Sequence, residues 1–429
     1  MKLPVSLVAY RLATGALAPA AGALLSWRLS HGKEDAARIG ERRGEPAFDR
    51  PPGVLVWLHG ASVGEALSLL PLIERLTQRG RNVLITTGTV TSASVLAERL
   101  PAGAFHQFIP LDAPRFMRRF IAHWRPDVAL IAESELWPNF IIEAAKAQIP
   151  IVLVNARLSA RSFRRWSRLR GFIGALLGRV DLCLAQSADD GERLAELGAP
   201  NVKLVGNLKY DAPPPPADRQ ELAALSGRIS GRQVWIAAST HEGEEILVGE
   251  AHRILARTFP DLLTLIAPRH PRRGVEIAAD LQSLGLHCTL RSRGGQPGPE
   301  TAVYICDTIG ELGLFYRLAG VVFVGKSFVS SGGQNPIEPA KLASAILHGP
   351  QVANFADVYA LLDSAGGAAL VHDAPELAQA LGALFADGAR LRAMARAAAQ
   401  VVESQVGAGE RMLQAIEPYL PQAALGPSS

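Results

Sequence analysis

VLVWLHGASVGE, residues 54–65, decides the fold. Its opening run from Val54 to Leu58 is unbroken apolar sequence, the mark of a strand covered on both faces. Gly60 and Gly64 turn the chain, and from Glu65 onward apolar residues return at helical spacing through Leu69, Leu72, Ile73 and Leu76. Strand, tight turn and helix in that order form the repeating unit of a parallel sheet. A second such unit lies far along the chain: the run from Val321 to Val324, then GGQNPIEP at 332–339, then a small-residue segment compatible with a helix. Its two glycines let backbone approach a ligand, and Glu338 falls near the helix start.

The same alternation recurs between and around these two stretches. Strands are expected at 54–58, 83–87, 128–132, 151–155, 182–185 and 202–205, and again at 235–238, 263–267, 303–306, 321–324 and 345–348. That is an α/β chain of doubly wound, Rossmann-like domains. At 429 residues it exceeds what one core organises, so two domains are expected. DAPPPPAD at 211–218 continues neither a strand nor a helix and reads as a stiff linker. The division is therefore an N-terminal segment 1–27, a first domain 28–210, the linker 211–218 and a second domain 219–429, whose last helix is free to pack back on the first.

Charge separates the halves: 27 Lys and Arg against 18 Asp and Glu up to residue 210, then 17 against 22 beyond it. The first half should favour anionic surfaces or substrates. Three cysteines, Cys183, Cys288 and Cys306, lie in or beside apolar runs without metal-like spacing and read as buried thiols in a reducing compartment. From Leu3 to Trp27 the chain is mostly apolar, but Arg11 interrupts it and no cleavage pattern follows, so it makes a poor signal peptide. With Arg28, Lys33, Arg38, Arg42 and Arg43 on its C-terminal side, an anchor would leave the body in the cytoplasm. Whether it spans or lies flat stays open, and a soluble helix packed on its own domain is the plain alternative. RLSARSFRRWSRLR at 157–170 interleaves Phe163, Trp166 and Leu169 with arginines, including Arg161, Arg164, Arg165, Arg168 and Arg170. Such a stripe suits lipid phosphates better than nucleic acid, since no base-reading module accompanies it; the alternative is a solvated helix face.

The residues capable of chemistry sit where strands end. HGASVGE lacks G-x-G-x-x-G, and Ser62 lacks the flanking glycines of a hydrolase elbow, which disfavours a dinucleotide site and a serine nucleophile. Glu65 is then either a partly desolvated general base or a helix-start carboxylate stabilising the dipole. AESELWPN at 132–139 places Glu133 and Glu135 on one side of an extended segment, with Trp137 as a wall, and NLKYD at 207–211 puts Lys209 at the hinge. In the second half, STHEGEE at 239–245 suits a phosphate or carboxylate, and Arg269 in APRHP, fixed between prolines, suits an anion. DTIGELG at 307–313 follows another strand, and Glu338 is placed to accept hydrogen bonds from a ribose diol beside Asn335. Histidines are scattered and no metal cluster is expected.

Taken in order, ARIGERRG at 37–44, HGASVGE, ESELWPN, NLKYD, STHEGEE, APRHP, DTIGELG and GGQNPIEPA resemble the 3-deoxy-D-manno-octulosonic acid (Kdo) transferases of lipopolysaccharide biosynthesis over nearly the whole chain. The resemblance implies a GT-B type fold, two Rossmann-like domains facing across a cleft, with an N-terminal membrane-associated helix. It implies an inverting glycosyltransferase that moves Kdo from CMP-Kdo to a lipid A precursor, with no cofactor and no metal, at the cytoplasmic face of a bacterial inner membrane whose anionic surface is a further partner. It also implies Glu65 as general base, with Glu135 and Lys209 supporting the transition state. CMP would be held by Pro268, Arg269, Ile309, Gly310, Glu311, Asn335, Pro336, Ile337 and Glu338. Gln334 stands where histidine is frequent in the family, and Ile337 where leucine is common. Two rivals remain: a transferase or epimerase with a UDP-linked substrate on the same fold, and a non-catalytic binder of anionic lipid.

Overall fold

The computed structural model describes residues 3–329 and 332–421; the first two residues of the expected N-terminal segment and 422–429 of the expected second domain lie outside them. The chain forms two compact units, one from the N-terminus to Ala212 together with the segment from Val406, the other Pro213–Gln405. The chain after Gln405 thus belongs with the first unit. Its helix Ala408–Ile416 buries Ala408, Met412, Leu413 and Ile416 against the first core, and Asp211 accepts from the Gly407 and Gly409 amides at 2.7 and 2.6 Å. The proline run begins the second unit: Arg317 donates to the Pro215 carbonyl at 2.7 Å.

The first unit holds seven parallel strands, β1 (Leu55–His59), β2 (Asn82–Thr87), β3 (Ala104–Phe108), β4 (Val128–Ala132), β5 (Ile151–Ala156), β6 (Leu182–Ala185) and β7 (Val202–Leu204), in the order β3-β2-β1-β4-β5-β6-β7. The second holds β8 (Gln233–Thr240), β9 (Leu262–Pro268), β10 (Cys288–Leu290), β11 (Val303–Ile305), β12 (Val321–Val324), β13 (Ala345–His348) and β14 (Ala368–Leu370), in the order β10-β11-β9-β8-β12-β13-β14. Three of these lack the apolar signature. β3 carries His106 and Gln107, while β10 and β14 are three-residue edge strands.

Alternation along the buried strands sorts side chains to two faces. Leu55, Trp57, Ala129, Ile131, Ile151 and Leu153 share one core, with the Trp57 and Phe140 rings stacked at 4.0 Å. Val56, Leu58, Val128, Leu130, Val152 and Val154 share the other. Because both faces are covered, the open part of such a sheet is its strand ends. Ligands of doubly wound sheets bind outside the carboxyl ends where the winding reverses. In this chain those points are β1/β4 and β8/β12, each flanked by two of the motifs quoted above.

The N-terminal segment is one helix long and apolar enough to cross a membrane, Val5–Ser30, with a 3-10 turn at Ala18–Ala20 between Val5–Leu17 and Ala21–Ser30. It is two-faced. Leu7, Ala21 and Leu25 are buried against the first unit, whereas Val5, Leu12, Leu17, Leu24 and Trp27 are exposed. Polar bonds fix the inner face: Tyr10 Oη donates to Asp112 at 2.8 Å, Arg11 to Asn139 at 3.1 Å and also to Glu143, and Asn139 to the Thr14 hydroxyl at 3.0 Å.

Candidate active site

Glu65 is the third residue of the helix Val63–Gln78, directly after β1. Ser62 caps that helix by accepting from the Glu65 amide at 3.3 Å, and the Glu65 carboxylate reaches back to accept from the Ala61 amide at 2.6 Å and the Ser62 amide at 3.3 Å. This is a capping box, which satisfies amides that the first helical turn leaves open. The carboxylate is therefore fixed in place and half-buried. Burial, and secondly the nearby charge of Glu133, hold its proton affinity above the ordinary carboxylate range against the pull of those amides. Capping and base function are thus compatible in one side chain: Oε2 takes both amide bonds.

After β4 the chain does not run on extended, as the sequence pattern suggests. Glu133 adopts a left-handed backbone with φ of 51° and starts a turn, which separates the two glutamates. Glu133 pairs with Lys209 Nζ at 3.3 Å, while Glu135 accepts from the Trp137 indole at 2.7 Å. Burial first, then the Glu65 charge, raise the Glu135 carboxyl as well. Glu65, Glu133 and Glu135 therefore form one electrostatic group around the β1/β4 switch point, and Lys209 enters it through Glu133. The turn Leu208–Tyr210 that carries Lys209 is held from β5, where Asn155, itself left-handed, accepts from the Leu208 amide at 2.9 Å. Left-handed non-glycine residues recur at the carboxyl ends of central strands in the other sheet, Ser239 in β8 and Lys326 after β12. Strain of this kind collects where backbone direction serves a site.

In the second unit, Glu338 is half-buried in the short helix Ile337–Lys341 and accepts from the Asn335 amide group at 3.2 Å. Burial raises its carboxyl, and the positive charges of Lys341 and Arg269 oppose that rise, which brings Arg269, Asn335 and Glu338 into one neighbourhood. Gly332 and Gly333 hold φ of 140° and 68°, values that L side chains rarely adopt. Arg269 is exposed, one residue after β9, and Pro268 closes that strand. Pro336 and Ile337 are buried and shape the segment rather than offering polar groups.

Glu311 differs from the sequence reading in what it offers. Arg291 clamps its carboxylate, with Nε at 2.7 Å, Thr308 donates to it too, and the arginine holds the carboxyl below its usual range. Ile309, 87% exposed, and Gly310 leave that loop's backbone open instead. Sequence reasoning also missed Glu244. It is fully buried and accepts from the His241, Lys326, Ser327 and Phe328 amides at 2.7 to 2.9 Å, which ties the end of β8 to the loop after β12. Its motif was visible, but nothing in a sequence assigns a carboxylate to amides some eighty residues away.

Arg161, Arg164, Arg165 and Arg168 are exposed on or just after the helix Ala160–Ser167, and Arg170 pairs with Glu196. The helix packs through Trp166, whose ring stacks on Phe172 at 6.1 Å, and Phe172 meets Tyr10 of the N-terminal helix edge-on at 6.3 Å. The arginine stripe and the apolar helix are neighbours on one unit. Among the described residues no group of three or more His, Cys, Asp or Glu side chains is arranged to hold a metal ion.

The family described as 3-deoxy-D-manno-octulosonic-acid transferase (kdotransferase) matches residues 37–212. The 3-deoxy-D-manno-octulosonic acid transferase of Haemophilus influenzae is 35% identical over 378 residues, covering 86% of this chain and 88% of its own length. That of Bordetella pertussis is 37% identical over 379 residues, with 86% and 88% covered. The crystal structure of a glycosyltransferase from Rickettsia africae covers 86% of this chain and 98% of its own with a TM-score of 0.61; at 11% identity that likeness is one of fold, and it makes the paired Rossmann-like units GT-B-like. On the strength of relatives aligned over most of both sequences, this chain belongs to the Kdo transferase family.

Proposed function

We propose that this enzyme moves Kdo from CMP-Kdo to a primary hydroxyl of a lipid A precursor with inversion at the anomeric carbon, Glu65 serving as the base. The observation that carries this reading is the Glu65 carboxylate, fixed by its capping box at the β1/β4 switch point and raised in proton affinity by burial and Glu133. A base of that kind takes the acceptor proton as the hydroxyl oxygen bonds to the anomeric carbon. The bond to CMP breaks on the opposite side, and the cytidylate leaves with the electron pair. A phosphate leaving group needs little protonation, so one base suffices. Lys209, steered by Glu133, and Arg269 supply positive charge for the developing anion, and Glu135 orients the acceptor. Glu338 and Asn335 take the ribose hydroxyls, while Pro268, Pro336 and Ile337 wall the nucleotide and the backbone of Ile309, Gly310 and Glu311 faces its phosphate. The reading asks that both strand edges serve one pair of substrates.

The pH dependence tests it. Glu65 acts unprotonated, and its proton affinity is raised, so kcat/KM should fall on the acid side at a pH above the ordinary carboxylate value of 4.5. Glu65 and Glu135 are both raised, the second partly by the charge of the first, so the limb reports the pair and not one residue. Glu133→Gln removes a like charge and should move the limb to lower pH; an unmoved limb would contradict the electrostatic account.

For location, the reading is an inner-membrane enzyme on the cytoplasmic side, lying on the bilayer through the N-terminal helix and the neighbouring arginines. Insertion across the bilayer would take the Tyr10 hydroxyl from Asp112 and Arg11 from Glu143, which would keep Lys146 at 3.4 Å, and giving up such buried polar partners is unfavourable. The exposed face of Leu12 and Leu17, 69% and 66% accessible, meets lipid without that loss. Leu12→Glu with Leu17→Glu should release the folded enzyme from anionic vesicles, and neutralising Arg161, Arg164, Arg165 and Arg168 should weaken binding by about 1 kcal/mol each. Vesicle sedimentation with matched circular dichroism measures both. Retention of the double glutamate variant would contradict this placement.

A further inference from the structure

We propose that Arg42 is a positioning residue for the Glu65 base, acting through Gly88 and Ala61. The inference rests on the reading of Glu65 as the base. Arg42 is buried, 3% accessible, in the 3-10 segment Ala36–Arg43, and its guanidinium spends its donors at the carboxyl edge of the first sheet. Nη2 donates to the Gly88 carbonyl after β2 at 2.7 Å, Nη1 to the Ile109 carbonyl after β3 at 3.1 Å, and Nε to Glu34 at 2.8 Å. The Gly88 amide donates to the Ala61 carbonyl at 3.1 Å. On the far side of Ala61 stand the two amides that grip the carboxylate, its own at 2.6 Å and that of Ser62 at 3.3 Å.

The geometry has a physical consequence at Glu65. The Ala61 carbonyl and the Ser62 amide belong to one peptide group, so a hydrogen bond accepted by that carbonyl strengthens the donor aimed at Glu65. The Gly88 amide is in turn placed by the guanidinium that pins its residue. Arginine suits the task because its planar fork holds three acceptors in fixed directions, which a lysine point charge does not. Retaining a buried guanidinium is costly in desolvation, and Glu34, itself held by Arg28 at 2.6 Å, offsets that cost. The groups around Arg42 are Glu34, Glu41, Arg28, His59 and His106; those around Glu65 are Glu133 and Glu135, with Lys209 behind Glu133. None of these is altered in the variants below.

The test compares wild type, Arg42→Lys, Gly88→Ala and Glu65→Gln by CMP affinity, thermal midpoint, and the pH profile of kcat and kcat/KM with CMP-Kdo and a lipid A precursor. Gly88→Ala leaves the ion pairs intact, but its Cβ would stand 3.1 Å from the Ala61 carbonyl oxygen, which must move. In Arg42→Lys we expect kcat to fall roughly tenfold with CMP affinity unchanged, since a small misplacement of a catalytic group has effects of that order. The acid limb should move to higher pH, because looser amides oppose the raised proton affinity less. Gly88→Ala should move the limb the same way, because the Gly88–Ala61 contact reaches the Glu65 donors, and an unmoved limb there would overturn the proposal even if Arg42→Lys fails to fold. Folded variants with a lowered thermal midpoint but the wild-type limb and kcat would show a purely structural arginine and overturn the proposal, while inactive Glu65→Gln would leave the base reading standing. Near-normal transfer by Glu65→Gln would overturn the base reading and this proposal with it.

Discussion

Glu65→Gln is expected to keep CMP-Kdo binding and to lose transfer by roughly 10²–10⁴-fold, the usual contribution of a positioned general base. Glutamine is the informative substitution. Its amide oxygen can still accept from the Ala61 and Ser62 amides, so the capping box largely persists and stability should change by less than about 1 kcal/mol. What disappears is the ability to hold a proton taken from a hydroxyl. A cap-only role predicts near-normal turnover, with the thermal midpoint as little changed as in the base reading. Steady-state transfer assays beside calorimetric CMP titration separate the two outcomes.

Glu338→Ala is expected to weaken CMP-Kdo binding by roughly ten- to a hundredfold, because hydrogen bonds to an ionised group contribute about 1.5–3 kcal/mol. The effect should appear in KM and in CMP affinity more than in kcat, since the ribose takes no part in bond making. Loss of Glu338 also leaves the Asn335 amide without its acceptor at 3.2 Å, so Asn335→Ala combined with Glu338→Ala should add less than the sum of the single changes. Unchanged CMP affinity in Glu338→Ala would remove the ribose role.

Most strands legible in the sequence were those whose burial on both faces leaves a continuous apolar run, β1, β4, β5, β8 and β12 among them, whereas β7 was also expected although it is largely exposed. β3 did not, because His106 and Gln107 are paid for by partners distant in sequence, Thr87 and Trp124. The site motifs were legible because they follow strands, but their pairings were not. Nothing in ESELWPN says that Glu133 turns left-handed and takes Lys209, or that Glu135 takes Trp137. The arginines of ARIGERRG read as basic charge flanking the N-terminal segment, yet Arg42 and Glu41 are buried: Glu41 accepts from the Phe108 amide at 2.6 Å and Arg42 lies over the Phe108 ring. Long-range acceptors set the role of a charged residue, and composition carries no information about them. The N-terminal segment shows the same limit. Its apolar run was plain, while the polar face that docks it depends on Asp112, Asn139 and Glu143, more than a hundred residues away.

Mass spectrometry of the lipid product tests the central claim most directly. Wild-type enzyme given a defined lipid A precursor with equimolar CMP-Kdo and a UDP-linked sugar should yield precursor enlarged by Kdo, with CMP released in equal amount, and Glu65→Gln should yield almost none. Product carrying the UDP-derived sugar, lipid bound with no CMP released, or full product from Glu65→Gln would contradict the account.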